Sequence, residues 1–459
     1  MMVKVNAVFD IGKTNKKFFL FDDNYNQVHR EYVNLPLIKD EDGFETEDLG
    51  ALRHWMKDTF DTVLESDAFD VNTLNFSSYG ASLVHLDYKG KPLTPLYNYT
   101  KEMPDEVTDA FHEKYGDPLT VAAQTASPPS GMLNSGLQLY WLKYTKPDVF
   151  AQIKYSLHLP QYLSYLFTGI PVSEYTSIGC HTNLWDYEAE DYHSWVHLEG
   201  LDRILPPIVP TSASINTIYK DKKIRIGVGI HDSSSALLPY ILSKKKPFLL
   251  LSTGTWSIAL NPYNSEILSR EDIENNCLNY LRIDGRRVKA SRFFMGNEYR
   301  LQVEKLTDYY NKEYGYHRGV QFDQNLYLKL MEKPAMYFKF EGIALQRLPQ
   351  ETELEPFDTF EEAYHQLMIE LMELQIDTIN NAIGNSDINT IYIDGGFTDN
   401  DVFMKLMSHH FSSFKVMSTH SPLGSALGAA MVLSDRQVTS KFLKENYRMK
   451  KLVPLFFDV

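Results

Sequence analysis

The pattern of hydrophobic and polar positions predicts a strand, a tight turn and a second strand at the start of the chain. VKVNAVFDIG (residues 3–12) is rich in β-branched residues and ends on glycine. NKKFFLFDD (residues 15–23) continues with extended character as far as an acidic turn signal. FLLLSTGTWSIALNP (residues 248–262) has the same strand–turn–strand pattern. The same strand–turn–strand unit therefore occurs at the start of each half of the chain.

Between and after these units, helical and extended patterns alternate. Apolar residues at three-and-four spacing predict helices, and short β-branched runs ended by glycine predict strands. Helices are predicted in residues 49–66, in 136–150, where the helix stops before Pro147, and in 158–169. A strand pair is predicted in 74–90, and strand–turn–helix units in 222–242, 388–411 and 414–435.

A basic segment, SKKKP (residues 243–247), separates the two halves. A short charge run of this kind is more often a solvated linker than a binding patch. We therefore expect an N-terminal domain over residues 1–243 and a C-terminal domain over residues 244–459.

The composition is that of an ordinary globular protein. The chain has 459 residues, 43% hydrophobic and 23% charged, which favours two or more domains. Its net charge of −15 (45 basic minus 60 acidic residues) argues against nucleic-acid and anionic-membrane partners. Cys180 and Cys277 are its only cysteines and give no metal or disulfide pattern. Without a long apolar run, we expect a soluble, cytoplasmic protein.

The tripeptide Gly-Lys-Thr in FDIGKTNKKFF (residues 9–19) raises the question of a P-loop. A P-loop would have glycine at the position of Ala7 and a helix directly after the loop. Alanine stands there, and the residues after Thr14 have the pattern of a strand. The stretch is therefore not predicted to be a P-loop.

A glycine turn between two strands can instead present backbone N–H groups and hydroxyls to a phosphate. Thr14 and Asn15 offer side-chain hydrogen bonds, and Asp10 would suit a divalent cation that bridges to the phosphate. Taken alone, this stretch is equally consistent with an ordinary β-hairpin that binds no ligand. The second turn, STGTWS (residues 252–257), has the same chemistry, and two such turns could clamp a triphosphate.

His231 and Asp232 follow a predicted strand and precede a helix of small residues. Asp232 is either an N-cap of that helix or a general base that accepts a hydroxyl proton in phosphoryl transfer. The double glycine Gly395-Gly396 lies at a strand-to-helix turn, where a backbone can approach adenosine closely. SPLGSALGAAMV (residues 421–432) is predicted to be a tightly packed helix.

Six short motifs, in this order, resemble those of the FGGY family of carbohydrate kinases, within the superfamily of actin, hexokinase and Hsp70 ATPase folds. They are DIGKTNKK (10–17), HLPQYLSYLFTG (158–169), GIHDSSSA (229–236), LLLSTGTWS (249–257), DGGF (394–397) and ALGAA (426–430). STGTWS and the His-Asp pair are most similar to the rhamnulokinase and L-fuculokinase branch. The resemblance implies an α/β fold of two actin-like (ribonuclease H-like) domains with an ATP and sugar cleft between them.

The resemblance also implies an enzyme that uses ATP and Mg²⁺ to phosphorylate a small ketose or deoxyketose. Asp232 would be the general base, and Asp10 would lie near Mg²⁺. The residues implied for ATP binding are Gly12, Lys13, Thr14, Asn15, Lys17, Thr253, Gly254, Thr255, Gly395 and Gly396. The residues implied for sugar binding are Gly80, Ala81, Ser82, His231, Asp232 and Ser233.

Three positions depart from the family pattern. Ser82 stands where the deoxyketose kinases have an aspartate that accepts sugar hydroxyls. Phe397 replaces the third glycine of the adenosine turn and Met404 an expected asparagine, which predicts a tighter or more apolar adenine pocket. Candidate sugar contacts in the stretch 290–300 are Arg292, Asn297 and Glu298, with Phe293 at the nominal position.

Two other classes of function use the same fold. One is a nucleotide-dependent binding or regulatory protein without kinase activity. The other is an ATPase of the chaperone kind, which hydrolyses ATP without a sugar. The acid at Asp232 favours the kinase, since a degenerate protein has little reason to keep it. A homodimer is compatible with the sequence.

Overall fold

The computed structural model describes residues 2–244, 246–341, 349–420, 423–434, 436, 438–439 and 441–455. Lys245, in the predicted basic boundary, lies outside the described residues. The strands are β1 (Val3–Ile11), β2 (Lys16–Asp22), β3 (Gln27–Val33), β4 (Leu37–Lys39), β5 (Glu45–Glu47), β6 (Phe69–Ser78), β7 (Leu83–Leu86), β8 (Tyr155–His158), β9 (Ser173–Glu174), β10 (Trp185–Asp186), β11 (Asp191–Tyr192), β12 (Ile208–Val209), β13 (Ser214–Tyr219), β14 (Lys222–Gly227), β15 (Ile230–His231), β16 (Leu249–Thr253), β17 (Ser257–Asn261), β18 (Cys277–Leu281), β19 (Arg287–Phe293), β20 (Thr390–Gly395), β21 (Lys415–Ser418) and β22 (Lys450–Lys451).

Helices separate these strands and cover the sheets. The α-helices are α1 (Leu49–Glu65), α2 (Asp105–Tyr115), α3 (Pro118–Thr125), α4 (Ser135–Thr145), α5 (Pro147–Phe150), α6 (Leu159–Thr168), α7 (Tyr175–Ile178), α8 (Ser194–Leu198), α9 (Asp232–Ser243), α10 (Arg270–Glu274), α11 (Met295–Tyr309), α12 (Gln324–Met331), α13 (Phe360–Ile383), α14 (Asp401–His410), α15 (Gly424–Val432) and α16 (Phe442–Asn446). Short 3₁₀ helices lie at Gly131–Leu133, Leu201–Arg203, Tyr316–Gly319 and Gly396–Asp399. None of the helices in the described part of the chain is long and apolar enough to cross a membrane.

The first sheet is built around the predicted N-terminal hairpin. Its strand order is β13-β14-β6-β1-β2-β3, with β15 also paired to β6. β1 is antiparallel to β2, with Ile11 opposite Lys16, and parallel to β6. Alternate residues of β1 face opposite sides: Phe9 lies in a core with α1 and α6, and Val8 in a core with α9 and α15. Burial on both faces explains the nearly continuous apolar sequence of β1.

The second sheet repeats this arrangement, as the two strand–turn–strand patterns predict. Its order is β18-β19-β17-β16-β20-β21-β22. β16 is antiparallel to β17, with Thr253 opposite Ser257, and parallel to β20. In both sheets, the first strand of the hairpin is therefore parallel to a strand from later in the chain. The two turns follow strands in equivalent positions of the two sheets.

Two helices of small residues join the halves of the molecule. α9 packs on α15, where a Cβ on Gly428 would lie 1.8 Å from the carbonyl oxygen of Ser235, so that only glycine fits. The Nδ2 of Asn75 in β6 donates a hydrogen bond to the Ala429 carbonyl at 2.8 Å. The segment predicted to be a tightly packed helix thus forms part of the contact between the two sheets.

One local prediction has a different tertiary context from the one the sequence suggests, and another is confirmed. The strand pair predicted in residues 74–90 exists as β6 and β7, but β7 pairs with β8 in a separate two-stranded sheet. The helix predicted to stop before Pro147 does so: α4 ends at Thr145, and a separate short helix, α5, begins at Pro147. Proline removes a backbone donor and disfavours helical geometry in the residue before it.

Candidate active site

The first turn leaves its polar tip open to solvent. The backbone N–H of Gly12 donates to the Asn15 carbonyl at 2.9 Å, which closes the turn, while Thr14 and Asn15 are exposed. The Nζ of Lys13 lies 3.0 Å from the Glu47 carboxylate, so its charge is already compensated. The turn is therefore shaped by its backbone, and Lys13 is engaged elsewhere.

Asp10, the residue predicted to lie near Mg²⁺, is buried near the end of β1. Its Oδ1 accepts a hydrogen bond from the Ser425 hydroxyl at 2.9 Å, and its Oδ2 lies 3.9 Å from the Nζ of Lys17. Burial raises the pKa of Asp10, and the negative charge of Asp232 raises it further, whereas Lys17 and Ser425 lower it. The two carboxyl groups therefore share one electrostatic environment.

Asp232 is the first residue of α9, and the N-cap position belongs to His231. The N-cap interpretation of Asp232 is therefore wrong, which leaves its carboxyl group available for chemistry. Its Oδ1 accepts a hydrogen bond from the Ser233 hydroxyl at 3.2 Å and lies 3.4 Å from the Nε2 of His231. Burial raises the pKa of Asp232 to about 6, although 37% of its side chain is still open to solvent.

His231 is held in a buried pocket beside Asp232. Its Nε2 lies 3.2 Å from the Cys180 thiol, and its ring stacks on that of Tyr280 with centroids 5.8 Å apart. A Cβ on Gly80 would come within 2.9 Å of the same nitrogen, which explains the glycine. Burial lowers the pKa of His231 to about 4, so the ring is neutral. Sequence reasoning missed Cys180 and Tyr280, since neither stands in a motif.

The predicted sugar turn meets this pocket through Gly80. The next residue, Ala81, has a left-handed backbone (φ +58°), and its carbonyl accepts a hydrogen bond from the Nε2 of Gln138 at 2.7 Å. Ser82 is buried, and its carbonyl accepts from the backbone of Leu159 at 3.0 Å. Ala81 and Ser82 are thus fixed by their backbones, and their contact with a sugar stays a prediction.

The second turn is tied to the double-glycine turn by Thr253. The hydroxyl of Thr253 donates to the Asp394 carbonyl at 2.6 Å and accepts from the Phe397 backbone N–H at 3.2 Å. Gly395 has φ +96°, and a Cβ there would lie 1.9 Å from the Thr253 carbonyl oxygen. Thr253, a predicted ATP contact, therefore has its hydroxyl engaged within the protein and positions the two turns.

A cavity of about 520 Å³ opens between these turns and α11, within the size range of nucleotide and cofactor pockets. It brings together three predicted ATP contacts, Gly254, Thr255 and Gly396. Its other walls include Tyr299, His317, Arg318, Phe397 and Asn400. The Phe397 ring meets that of Tyr299 edge-on at 5.1 Å, which forms an apolar wall. Met404 is buried in the core of the second sheet, so the departure that bears on the cavity is Phe397.

The four residues singled out at the end of β19 and the start of α11 have different environments. Phe293 and Glu298 are buried, and Asn297 is bonded within its own helix. Arg292 extends to the first half of the molecule, where its Nη2 lies 3.4 Å from the Ser130 hydroxyl.

Two sets of side chains have the chemistry of metal ligands. Asp10 and Asp232 offer the carboxylate oxygens that Mg²⁺ prefers, and Mg²⁺ needs only one or two of these alongside phosphates. Cys180, His181 and His231 place a thiol and two imidazoles within 4.8 Å of one another, a softer set that does not suit Mg²⁺.

These features define a two-domain α/β phosphotransferase with one glycine turn at the head of each sheet and an acid between them. The family models for the N-terminal domain of the FGGY family of carbohydrate kinases and for the carbohydrate kinase FGGY C-terminal domain match residues 5–237 and 245–441. The chain belongs to the FGGY family of carbohydrate kinases. The family resemblance and the fold class inferred from the sequence are therefore confirmed.

Curated relatives and solved structures agree with this family. A rhamnulokinase of Oceanobacillus iheyensis is 22% identical over 73% of this chain and 73% of its own length, and one of Halalkalibacterium halodurans is 22% identical over 87% and 85%. A carbohydrate kinase from Novosphingobium aromaticivorans matches with a TM-score of 0.82 at 23% identity, over 99% of this chain and 95% of that one. A xylulose kinase from Lactobacillus acidophilus gives 0.75 at 18%, over 99% and 94%.

Proposed function

We propose that this protein transfers the γ-phosphoryl group of ATP to a hydroxyl of a small ketose or deoxyketose, with Asp232 as the general base. The observation that carries the proposal is the position of Asp232 at the start of α9, where its Oδ1 accepts a hydrogen bond from Ser233 and lies 3.4 Å from the Nε2 of His231. The pKa of Asp232 is raised to about 6 by burial, and a general base works best when its pKa lies near the working pH. The rhamnulokinases among the relatives favour the sugar class.

In the reaction, the sugar hydroxyl gives its proton to Asp232 while its oxygen forms a bond to the γ-phosphorus. The bond between that phosphorus and the β–γ bridging oxygen breaks, and ADP leaves with the electron pair. Phosphoryl transfer needs mainly positioning and charge stabilisation from the protein. The neutral ring of His231 would hold the sugar by hydrogen bonding, together with Ser233 and the turn at Gly80.

ATP fits the arrangement of cavity and turns. Its adenosine would occupy the cavity beside Gly396 and Phe397, and its phosphates would reach the exposed tips of the two turns. Thr14, Asn15 and Thr255 are exposed there. Gly12, Lys17 and Gly254 complete the proposed phosphate contacts, whereas Thr253, Gly395 and Lys13 act through the shape and charge of the turns.

Mg²⁺ is proposed to bind at Asp10. The fit rests on the donor set, because a carboxylate whose pKa is raised by burial and, to a smaller extent, by a second acid would be stabilised by a cation. A bound Mg²⁺ would neutralise phosphate charge. The proposed domains, residues 1–243 and 244–459, would close over both substrates and exclude water. Both cysteines are free and buried, as in a protein of the reducing cytoplasm.

The test is ADP release on addition of a panel of pentuloses, hexuloses, deoxyketoses and polyols to the purified protein with ATP and Mg²⁺. At least one sugar should raise the rate well above the sugar-free rate, and Asp232→Asn should remove nearly all of this increase while ATP binding persists. A rate that no sugar changes would instead support a binding or regulatory protein. Loss of ATP binding in Asp232→Asn would point to a structural role for the acid.

A further inference from the structure

Arg292 is a partly buried cation that meets no acid in the described part of the chain. It lies on β19, opposite Ile258 of β17. Its Nε is buried without a hydrogen-bond partner, and its Nη2 reaches only the Ser130 hydroxyl, at 3.4 Å. By contrast, the similarly enclosed guanidinium of Arg282 lies 3.0 Å from the Asp284 carboxylate.

Such a guanidinium is costly to the folded protein unless a ligand pairs with it. A buried charge without an opposite charge loses hydration and gains no ion pair, and burial lowers the pKa of Arg292 accordingly. The ring of Trp256 lies 5.3 Å from its Cζ, which compensates the charge in part. A cation–π contact uses the face of the guanidinium and leaves the N–H donors in its plane available.

Arg292 is linked to the pocket of His231 through Ser130. The backbone N–H of Ser130 donates a hydrogen bond to the Oδ1 of Asn134 at 2.7 Å, and the Nδ2 of Asn134 donates to the His181 carbonyl at 2.9 Å. The positive charge of Arg292 opposes the effect of burial on the pKa of Cys180, and the Cys180 thiol contacts His231. The contact of Arg292 with Ser130 spans the two halves of the molecule. The end of the proposed sugar site formed by Arg292, His181 and His231 therefore contains a cation.

We propose that the sugar substrate carries a carboxylate and that Arg292 binds it. The inference rests on the proposed kinase function and narrows its substrate to ketoses and deoxyketoses that carry a carboxylate. A planar guanidinium matches a carboxylate with two parallel hydrogen bonds. Ser82 agrees with this, because an aspartate in the same turn would add a negative charge to the site.

A carboxylate fits this end of the site better than a phosphate group does. His181 and His231 adjoin it, with ring centroids 6.3 Å apart. Arg292 supplies one positive charge at this end, which matches the single negative charge of a carboxylate. A phosphate dianion would call for a second cation there.

The experiment measures binding by calorimetry in an Asp232→Asn background, so that no turnover interferes. Ligands are matched pairs, each a neutral ketose and a sugar acid of the same chain length. The acids should bind more tightly, and Arg292→Gln should weaken acid binding about 10- to 100-fold, as loss of charge-assisted hydrogen bonds does, with the ketose unchanged. Arg292→Lys keeps the positive charge but loses the paired N–H donors of the guanidinium. Its affinity for the acids should therefore lie between those of the parent and of Arg292→Gln.

Arg300→Gln is the matched control, since Arg300 is exposed on α11 and pairs with Glu304; it should bind both ligands like the parent. If Arg292→Gln and Arg292→Lys each lose as much affinity for the ketose as for the acid, the proposal is overturned. In the parent enzyme, ADP release driven by ketoses and not by acids would also overturn it, and would leave the kinase function standing. If no sugar of either kind drives ADP release, the kinase proposal fails, and the binding data still decide whether Arg292 recognises a carboxylate.

Discussion

The hydroxyl of Ser425 donates a hydrogen bond to the Oδ1 of Asp10 at 2.9 Å, across 415 positions of sequence. It joins the start of α15, in the second half of the chain, to the end of β1, in the first. Asp10 is thereby oriented by a residue that follows the double-glycine turn. The proposed Mg²⁺ site therefore depends on how the two halves of the molecule meet.

We expect Asp10→Asn to raise the Mg²⁺ concentration required for half-maximal activity by about tenfold or more, because it removes the proposed ligand charge. Ser425→Ala keeps the carboxylate and should give a smaller rise in the same direction. A Mg²⁺ titration at fixed ATP and sugar measures both. Mg²⁺ dependence equal to wild type in Asp10→Asn would exclude Asp10 as a ligand.

The pH dependence of kcat/KM should have a rising limb with an apparent pKa near 6. Asp232 acts as a base only when deprotonated, and burial raises its pKa to about 6, so activity is lost as the pH falls through that value. Asp232→Asn should lower kcat/KM by about 10²- to 10⁴-fold, and its residual activity should lack this limb. An unchanged limb in that variant would assign the titration to another group.

Asp232→Asn should also make the folded protein more stable at pH 8 than wild type. The pKa of Asp232 is higher in the folded state than in an exposed chain, so the charged carboxylate destabilises the fold above pH 6. As the pH falls below 6, the folded wild type takes up a proton and the difference in Tm should shrink. Thermal unfolding of both proteins from pH 5 to 8 tests this, and a gain in Tm that is independent of pH would contradict it.

The two turns could be predicted from local sequence because a hairpin depends on neighbouring residues. Here these are a strand pattern, a glycine turn and a second strand pattern. The same reasoning found Gly395, whose backbone approaches Thr253, since a double glycine marks such a turn. It could not predict the bond between Cys180 and His231, because an isolated cysteine carries no local signal. The resemblance assigns Thr253 to phosphate, and local sequence could not predict that its hydroxyl also donates to the Asp394 carbonyl, because the fold alone brings these two groups together.

The lysines of the first turn should have unequal effects on ATP. Lys13 would bind phosphate in a P-loop, but here it pairs with Glu47 at 3.0 Å, whereas Lys17 lies beside Asp10. We expect Lys17→Ala to raise the KM for ATP about tenfold or more, as loss of a charged contact does, and Lys13→Ala to raise it less. Steady-state kinetics at saturating sugar measure both. A larger effect for Lys13 would make it the main lysine contact to phosphate, despite its pairing with Glu47.

The two adjacent glycines of the adenosine turn should respond differently to one added methyl group. In Gly395→Ala the Cβ would lie 1.9 Å from the Thr253 carbonyl at a φ of +96°, so the turn must shift and Tm should fall by several degrees. Gly396 has no atom within 4 Å of its Cβ position, so Gly396→Ala should keep the wild-type Tm.

Because Gly396 lines the proposed adenosine cavity, a larger side chain there should interfere with nucleotide and not with folding. Gly396→Val should raise the Kd for ATP by about tenfold or more, with a Tm near that of wild type in the absence of ATP. Calorimetric titration with ATP and thermal unfolding give the two quantities. Unchanged ATP affinity in Gly396→Val would move the adenosine out of this cavity, and a lowered Tm without ATP would show that the position is structural.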